Sequence, residues 1–367
     1  MTPIVGSLDW YGFLARPHLP APSPDTISSL IHHPILITGA GGSIGSALAL
    51  RLAANGAHII LLESSENSLY EFQRDFASLP QSQHLSFYLG SVADRSLLDE
   101  IFSIHHPRFV FHAAAFKHVP LIEEQPLAAI ANNIFGTQSL VDAAFGGHAR
   151  VILLSTDKAV APASIMGATK RVAEYVVLIA GGTVLRLGNV LASRGSVTEV
   201  FARQIAAGIP LTVTDPAARR YFLTIGEAVD LLLSSSGESR GPALMAPQLP
   251  ASHYIADLAR FMTRSLAPTR EATIEFTHLR AGDKECEELW SAGETPYPAN
   301  ANGLIPLDSP SIAPRQFQTL LGALSNAVQS RDLAAALTVL RVLVPDYTPS
   351  NAVLTQSSTA PSQVSNE

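Results

Sequence analysis

The stretch PILITGAGGSIGSALALRLAANGAHIILLE, residues 34–63, limits the possible folds more than any other part of the chain. An apolar run of strand length leads into Gly39, Gly42 and Gly45 at GxxGxxG spacing, and a helix-like stretch then runs to about Gly56. Glycine permits the tight turn and lets a diphosphate approach the backbone, while the following helix points its first amides at that anion. A glycine motif alone is weak. Its place between strand and helix makes a dinucleotide loop the expectation over an ordinary glycine turn, with Ser43 and Ile44 in the same cradle. Glu63 closes the second strand about 20 residues on, where an acid accepts ribose hydroxyls. Such an acid repels a 2′-phosphate, so NAD is expected rather than NADP. The competing reading of Glu63 is an exposed loop acid.

Beyond this unit, LSFYLGS, FVFHAAA, RVILLST and GTVLRLG read as four more strands with helical segments between them. Strands apolar throughout and separated by helices imply a parallel sheet covered on both faces. The expected fold is α/β, a doubly wound Rossmann sheet over residues 34–190. Periodicity weakens afterwards, and residues 191–348 are expected to form mainly a smaller substrate-binding α/β lobe, with some elements returning to the sheet. Residues 1–33, rich in proline and histidine, read as an arm packed on the surface. Residues 349–367 are polar and small, and disorder is expected there.

Function classes narrow with the charge. A net charge of −7 without a basic run argues against nucleic-acid binding. The single cysteine, Cys286, leaves no intramolecular disulfide and fits a reducing compartment. No secretory signal or membrane span is visible, so a soluble cytoplasmic protein is expected. The histidines show no metal-ligand spacing.

The chemistry concentrates in STDKAVAPASIMGATK, residues 155–170. Ser155, Thr156, Asp157 and Lys158 stand at the end of the fifth strand, the edge where parallel sheets bind ligands. A strand-end ion pair without chemistry is the plain alternative. Met166 and Lys170, four residues apart, face the same side of a helix. Asp94 in GSVAD either approaches an adenine or caps a helix, and the sequence leaves both open.

ITGAGGSIGS, HAAAFKHVPLIEEQP, NNIFGTQSLVDAA, STDKAVAPASIMGATK, LRLGNVLASRGSV, RRYFLTIGEAV and LRAGDKECEEL occur in that order. Over roughly residues 34–290 the chain resembles the polysaccharide-biosynthesis (CapD-type) nucleotide-sugar 4,6-dehydratases, a branch of the extended short-chain dehydrogenase/reductases. The resemblance implies a UDP-sugar substrate, most often UDP-N-acetylglucosamine, and bound NAD. The implied reaction oxidises C4, eliminates water across C5 and C6, and returns the hydride to C6. Lys170 is then the lysine that holds the nicotinamide ribose, while Met166 replaces the proton-transferring tyrosine of the wider family. In this branch methionine goes with retention at C5. Ala113, Ala114, Ala115 and Lys117 border the cofactor. Lys117 and His118 border the sugar, unless His118 is a packed loop histidine. Asn189, Arg220 and Arg280 contact the sugar-nucleotide diphosphate, a task suited to arginine's planar fork; surface arginines are the alternative. Ala281 and Gly226 stand where relatives often carry proline, and Arg219 where they carry a smaller polar residue. A homo-oligomer is also implied.

Elimination needs a base for the C5 proton and an acid for the C6 hydroxyl. Burial favours a neutral Asp/Lys pair over a charged one. Asp157 is therefore expected as the acid and Lys158 as the base, with the reverse assignment open, and Thr156 or Asp157 as relay for the C4 hydroxyl proton. A UDP-sugar 4-epimerase would share NAD and C4 oxidation but needs no such pair. A non-catalytic dinucleotide sensor would have no use for Asp157, Lys158 and Lys170 together.

Overall fold

The computed structural model describes residues 5–76, 84–237, 241–310 and 312–358. Six strands build the parallel core: β1 (Ile35–Thr38), β2 (Ile59–Glu63), β3 (Leu85–Leu89), β4 (Phe109–His112), β5 (Arg150–Thr156) and β6 (Thr183–Leu187). Their spatial order is β3-β2-β1-β4-β5-β6, all parallel. β1, β2 and β6 are buried at every position, and their sequences are accordingly apolar except for Thr38, Glu63, Thr183 and Arg186. After β1 the connections leave in opposite directions, toward β2 on one side and β4 on the other. The loops that follow β1 and β4 therefore part and open a crevice between them.

Two apolar layers cover the sheet. One face carries Leu48, Leu52, Phe72 and Leu231 from the helices Ser43–Ala53, Glu66–Phe76 and Ile225–Gly237. The other carries Leu98, Leu140, Val172 and Leu321 from Arg95–His105, Gly136–Gly146, Ile165–Ile179 and Pro314–Gln329. Beyond β6 the strand Ala243–Pro247 continues the sheet in parallel, and Leu304–Asp308 and Thr295–Pro296 close that edge antiparallel. The sequence hides these last strands behind prolines. Pro306 lies opposite Met245 in the strand next to the edge, and its carbonyl accepts from Tyr297 N at 2.9 Å.

The smaller lobe pairs Leu211–Val213 with Ile274–Phe276 under the helices Val197–Ala207 and Ile255–Leu266. Its core takes in Val5, Trp10 and Leu14 together with Phe201, Leu258 and Met262. The N-terminal segment is thus part of a core rather than a surface arm alone. Its helix Trp10–Leu14 spans five residues, too few to show a helical period, and Arg16 anchors it to buried Glu227 at 2.6 Å.

The expected disordered tail is corrected for its first part. Asn351–Ser358 form a helix whose Val353 is fully buried. Ser350 Oγ donates to the Glu123 carboxylate, and Gln356 Nε2 donates to the Glu123 carbonyl at 2.8 Å. One apolar anchor and two hydrogen bonds order a segment whose composition is polar. Residues 359–367 lie outside the described residues. Among the described residues no helix is long and apolar enough to cross a membrane.

Candidate active site

A cavity of about 790 Å³ opens at the C-terminal ends of β1, β2, β4, β5 and β6. The glycine loop forms one wall. Gly39 has φ +66, and a Cβ there would lie 2.7 Å from the Ala114 amide nitrogen. A Cβ on Gly45 would collide with the Gly39 carbonyl, so both positions admit only glycine. Gly41, outside the GxxGxxG spacing, is equally constrained: a Cβ would stand 2.6 Å from Ser68 Cβ. Gly42, Ser43 and Ile44 complete this wall.

Glu63 is buried at the end of β2, not an exposed loop acid. Its carboxylate accepts from Gly41 N and Ser65 N, each at 2.9 Å, and lines the cavity. Asp94 does not reach the cavity. It caps the helix Arg95–His105 by accepting from Leu97 N at 3.1 Å, so of its two readings the structure selects the cap. Ser91 and Val92 stand at the wall instead.

Ala113, Ala114, Ala115, Lys117 and His118 form the opposite wall. Two buried polar side chains set this loop. His112 bridges Thr38 Oγ1 at 2.7 Å and Thr137 Oγ1 at 2.9 Å, and burial, with the Lys170 charge adding, pushes its pKa down to about 3. Asn133 sits in a π-turn, Ala131–Phe135. It clamps both backbone groups of Phe116, at 2.8 and 3.1 Å, and reaches Thr169 Oγ1 at 3.1 Å. The loop is thereby tied to the helix that carries Met166 and Lys170.

The floor comes from β5 and the helix Ile165–Ile179. Thr156, Met166 and Lys170 line the cavity. Lys170 Nζ donates to the Leu154 carbonyl at 2.7 Å, and burial, partly offset by Glu174, lowers its pKa to about 8. Gly167 lets the helix start pack on the turn after β5, since a Cβ there would collide with the Lys158 carbonyl. Asp157 and Lys158 lie directly behind Thr156. Asp157 Oδ1 accepts from Thr156 Oγ1 at 3.0 Å and Lys158 Nζ at 2.9 Å. Asp157 is fully buried, and its Oδ2 has no hydrogen-bond partner among the described residues. Lys158 Nζ also donates to Asn189 Oδ1 at 3.0 Å and stands 3.8 Å from Glu287.

This geometry corrects the expected neutral pair. Burial alone would lower the Lys158 pKa, but the Asp157 and Glu287 carboxylates outweigh it and the net direction is upward. Lys158 is thereby held as an ammonium. The sequence reading had no means of placing Glu287 beside Lys158.

The two arginines expected to clamp a substrate diphosphate are not brought together at the cavity. Arg220 is buried, and its guanidinium donates to the carbonyls of Arg219, Lys284 and Glu285 at 2.7–2.8 Å. Arg280 is exposed and paired with Asp283 at 2.8 Å. Asn189 is taken up by Lys158.

Two features escaped the sequence reading. Arg194 reaches the glycine loop from the segment after β6. Beneath β5, a buried network joins Glu174 to Arg186 at 2.8 Å, Arg186 to Glu294 at 2.7 Å and Arg171 to both acids, and Ser155 Oγ donates to Glu174. The one sequence signal was Arg186 itself, a charge inside the apolar run GTVLRLG.

Residues 35–305 match the family model described as polysaccharide biosynthesis protein. The chain belongs to this polysaccharide-biosynthesis family. It is 40% identical over 271 residues to the probable polysaccharide biosynthesis protein EpsC of Bacillus subtilis, covering 71% of this chain and 45% of that protein. It is 39% identical over 277 residues to the capsular polysaccharide biosynthesis protein CapD of Staphylococcus aureus, covering 72% of this chain and 46% of CapD. The chain thus matches less than half the length of either relative. A Rickettsia rickettsii protein named UDP-glucose 4-epimerase is 35% identical over 274 residues, 71% of this chain and 78% of that protein. Among solved structures, Pen from Bacillus thuringiensis superposes with a TM-score of 0.70 at 24% identity, over 79% of this chain and 97% of Pen. That likeness supports the Rossmann fold for this family member.

Proposed function

We propose that this chain is an NAD-dependent UDP-N-acetylglucosamine 4,6-dehydratase that retains configuration at C5. The observation that carries the reading is the bonded Asp157–Lys158 pair behind Thr156, with Met166 at the cavity wall where a tyrosine would otherwise transfer the proton.

The residues fit NAD. The glycine cradle excludes any Cβ at Gly39 and Gly45, and the Glu63 carboxylate beside it suits ribose hydroxyls and repels a 2′-phosphate. NAD, when bound, supplies a hydride acceptor for C4 and a hydride donor for C6. Lys170 lines the same cavity and offers an ammonium to a ribose hydroxyl. Thr156 Oγ1 gives the C4 hydroxyl proton a path away from the sugar. Once C4 is a ketone, the C5 proton is acidic. Passing the Lys158 proton to Asp157 across their 2.9 Å bond creates one base and one acid without changing the proton total. The Lys158 amine then takes the C5 proton, and Asp157 protonates the departing C6 hydroxyl. After hydride arrives at C6, Lys158 returns a proton to C5. Overall the C4 hydroxyl proton balances the one lost in water. Return from one amine to one face retains configuration, and the Met166 thioether offers no acid for the other face.

A second reading, UDP-sugar 4-epimerase, is favoured by the Rickettsia relative of that name. Incubation with UDP-N-acetylglucosamine in heavy water separates the two. Loss of one water with deuterium at C5 is expected. A C4 epimer that keeps its C6 hydroxyl would establish the epimerase instead, and an unchanged sugar with NAD bound would overturn the substrate assignment or catalysis itself.

A further inference from the structure

The segment 193–195 is held from both sides of the cavity that it lines. On the glycine-loop side, Arg194 N donates to Ser43 Oγ at 2.8 Å, and Arg194 Nη1 donates to the Gly41 carbonyl at 3.1 Å. On the opposite side, Lys117 Nζ donates to the Arg194 carbonyl at 2.6 Å. The His118 ring lies against Gly195, where φ is +70 and a Cβ would stand 2.6 Å from the ring. A glycine in the left-handed region at this point lets the chain turn between the two walls.

The guanidinium has no strong partner. Its ion pair with Glu71 is 3.4 Å long, and both side chains are more than half exposed, so the pair contributes little. The loop it touches, by contrast, has an unbalanced charge. Glu63 holds a carboxylate against Gly41, and a dinucleotide's diphosphate would bring two more negative charges to the same loop. Among the described residues lining the cavity, Lys117, Lys170 and Arg194 carry the cationic side chains. Lys117 and Lys170 bond to the Arg194 and Leu154 carbonyls, away from the glycines, and Arg194 alone of the three touches the loop.

We propose that Arg194 is a ligand of the cofactor's diphosphate, and that the segment 193–195 straps the dinucleotide into the cavity. The proposal rests on the reading that this cavity takes NAD. Arginine forms paired, charge-assisted bonds with phosphate oxygens, stronger than its present exposed pair with Glu71. A cofactor whose hydride is stored and then returned to the same sugar must not leave between those steps. A strap bonded at both walls slows that departure.

The test uses wild type, Arg194→Ala, Arg194→Lys and Ser43→Ala, each stripped of nucleotide and checked for folding by circular dichroism. NAD affinity is measured by calorimetry and NAD release by rapid dilution, with adenosine as a probe that has the base and ribose but no phosphates. Arg194→Ala is expected to weaken NAD binding about 10-fold or more, the scale of a charge-assisted bond, and to leave adenosine binding unchanged. Arg194→Lys should recover part of the loss. Ser43→Ala, which frees the strap but keeps the charge, should speed NAD release. Unchanged NAD affinity and release in Arg194→Ala, with wild type binding both probes, would overturn the strap and leave the NAD reading intact. Should Arg194→Ala not fold, unchanged affinity in Arg194→Lys together with unchanged release in Ser43→Ala would overturn it. Wild type that binds neither probe would remove the NAD reading and the strap together.

Discussion

In the proposed reaction two side chains at the end of β5 carry the chemistry, and the charge of Lys158 depends on Glu287, a neighbour distant in sequence. Lys158 stays an ammonium because Asp157 and Glu287 both face it. Removing either member of the pair should therefore stop elimination while leaving the glycine loop untouched. Lys158→Met and Asp157→Asn are each expected to lower turnover by about 10²–10⁴-fold, the range for a lost general acid or base. Both should lose deuterium exchange at C5 together with loss of water, because Lys158 becomes a base only by passing its proton to Asp157. Lys170 gives a pH prediction. Its pKa is lowered to about 8, so its ammonium is present below that pH and is lost as pH rises through it. Activity is expected to fall along an alkaline limb near pH 8, and a pH–rate profile of kcat/KM checks this. Arg194 belongs to the same scale, as a single exposed cation on a loop of glycines.

The helix Ile165–Ile179 does more than present Met166 and Lys170. Glu174 ties it to Arg186 of β6, and Arg186 ties both to Glu294 in the segment before the edge strands. Arg186 and Glu174 are fully buried. Replacing Arg186 with Met would leave two buried carboxylates sharing Arg171, and removing one partner of such a network costs about 3–5 kcal/mol. The expected result is a lower midpoint in urea unfolding with an unchanged slope. At the start of the same helix, Glu123 accepts from Ile165 N at 2.8 Å with one carboxylate oxygen and from Ser350 Oγ with the other. The C-terminal helix thus bears on the helix that carries Met166 and Lys170. Truncation after residue 349 is expected to destabilise the protein by about 2–3 kcal/mol, from the burial of Val353 and the two lost hydrogen bonds. Thermal unfolding followed by circular dichroism measures that.

At the scale of the whole molecule, the sheet order decides where the cavity lies. β1 sits between β2 and β4, so the glycine loop and the loop after β4 separate and leave room between them. The amino-acid order alone fixes this much: β1 to β6 are mainly apolar runs of strand length, and the glycines fall between β1 and its helix. Local chain stiffness and the period of apolar residues carry that information. The strands Ala243–Pro247 and Leu304–Asp308 were not legible, because prolines interrupt short runs whose strand character comes from their neighbours in the sheet. The helix Asn351–Ser358 was hidden for a similar reason, its order coming from Glu123 and one buried valine rather than from composition. The site divides in the same way. Glu63, Thr156, Met166 and Lys170 line the cavity, because each follows a strand or a helix turn that the pattern fixes. Asp94 became a cap, Arg220 and Arg280 found partners away from the cavity, and Lys158 kept its charge. Those outcomes depend on which groups meet across the fold. Coulombic and hydrogen-bond contacts act over a few ångströms in space, whatever the separation along the chain, and only the tertiary structure sets those distances.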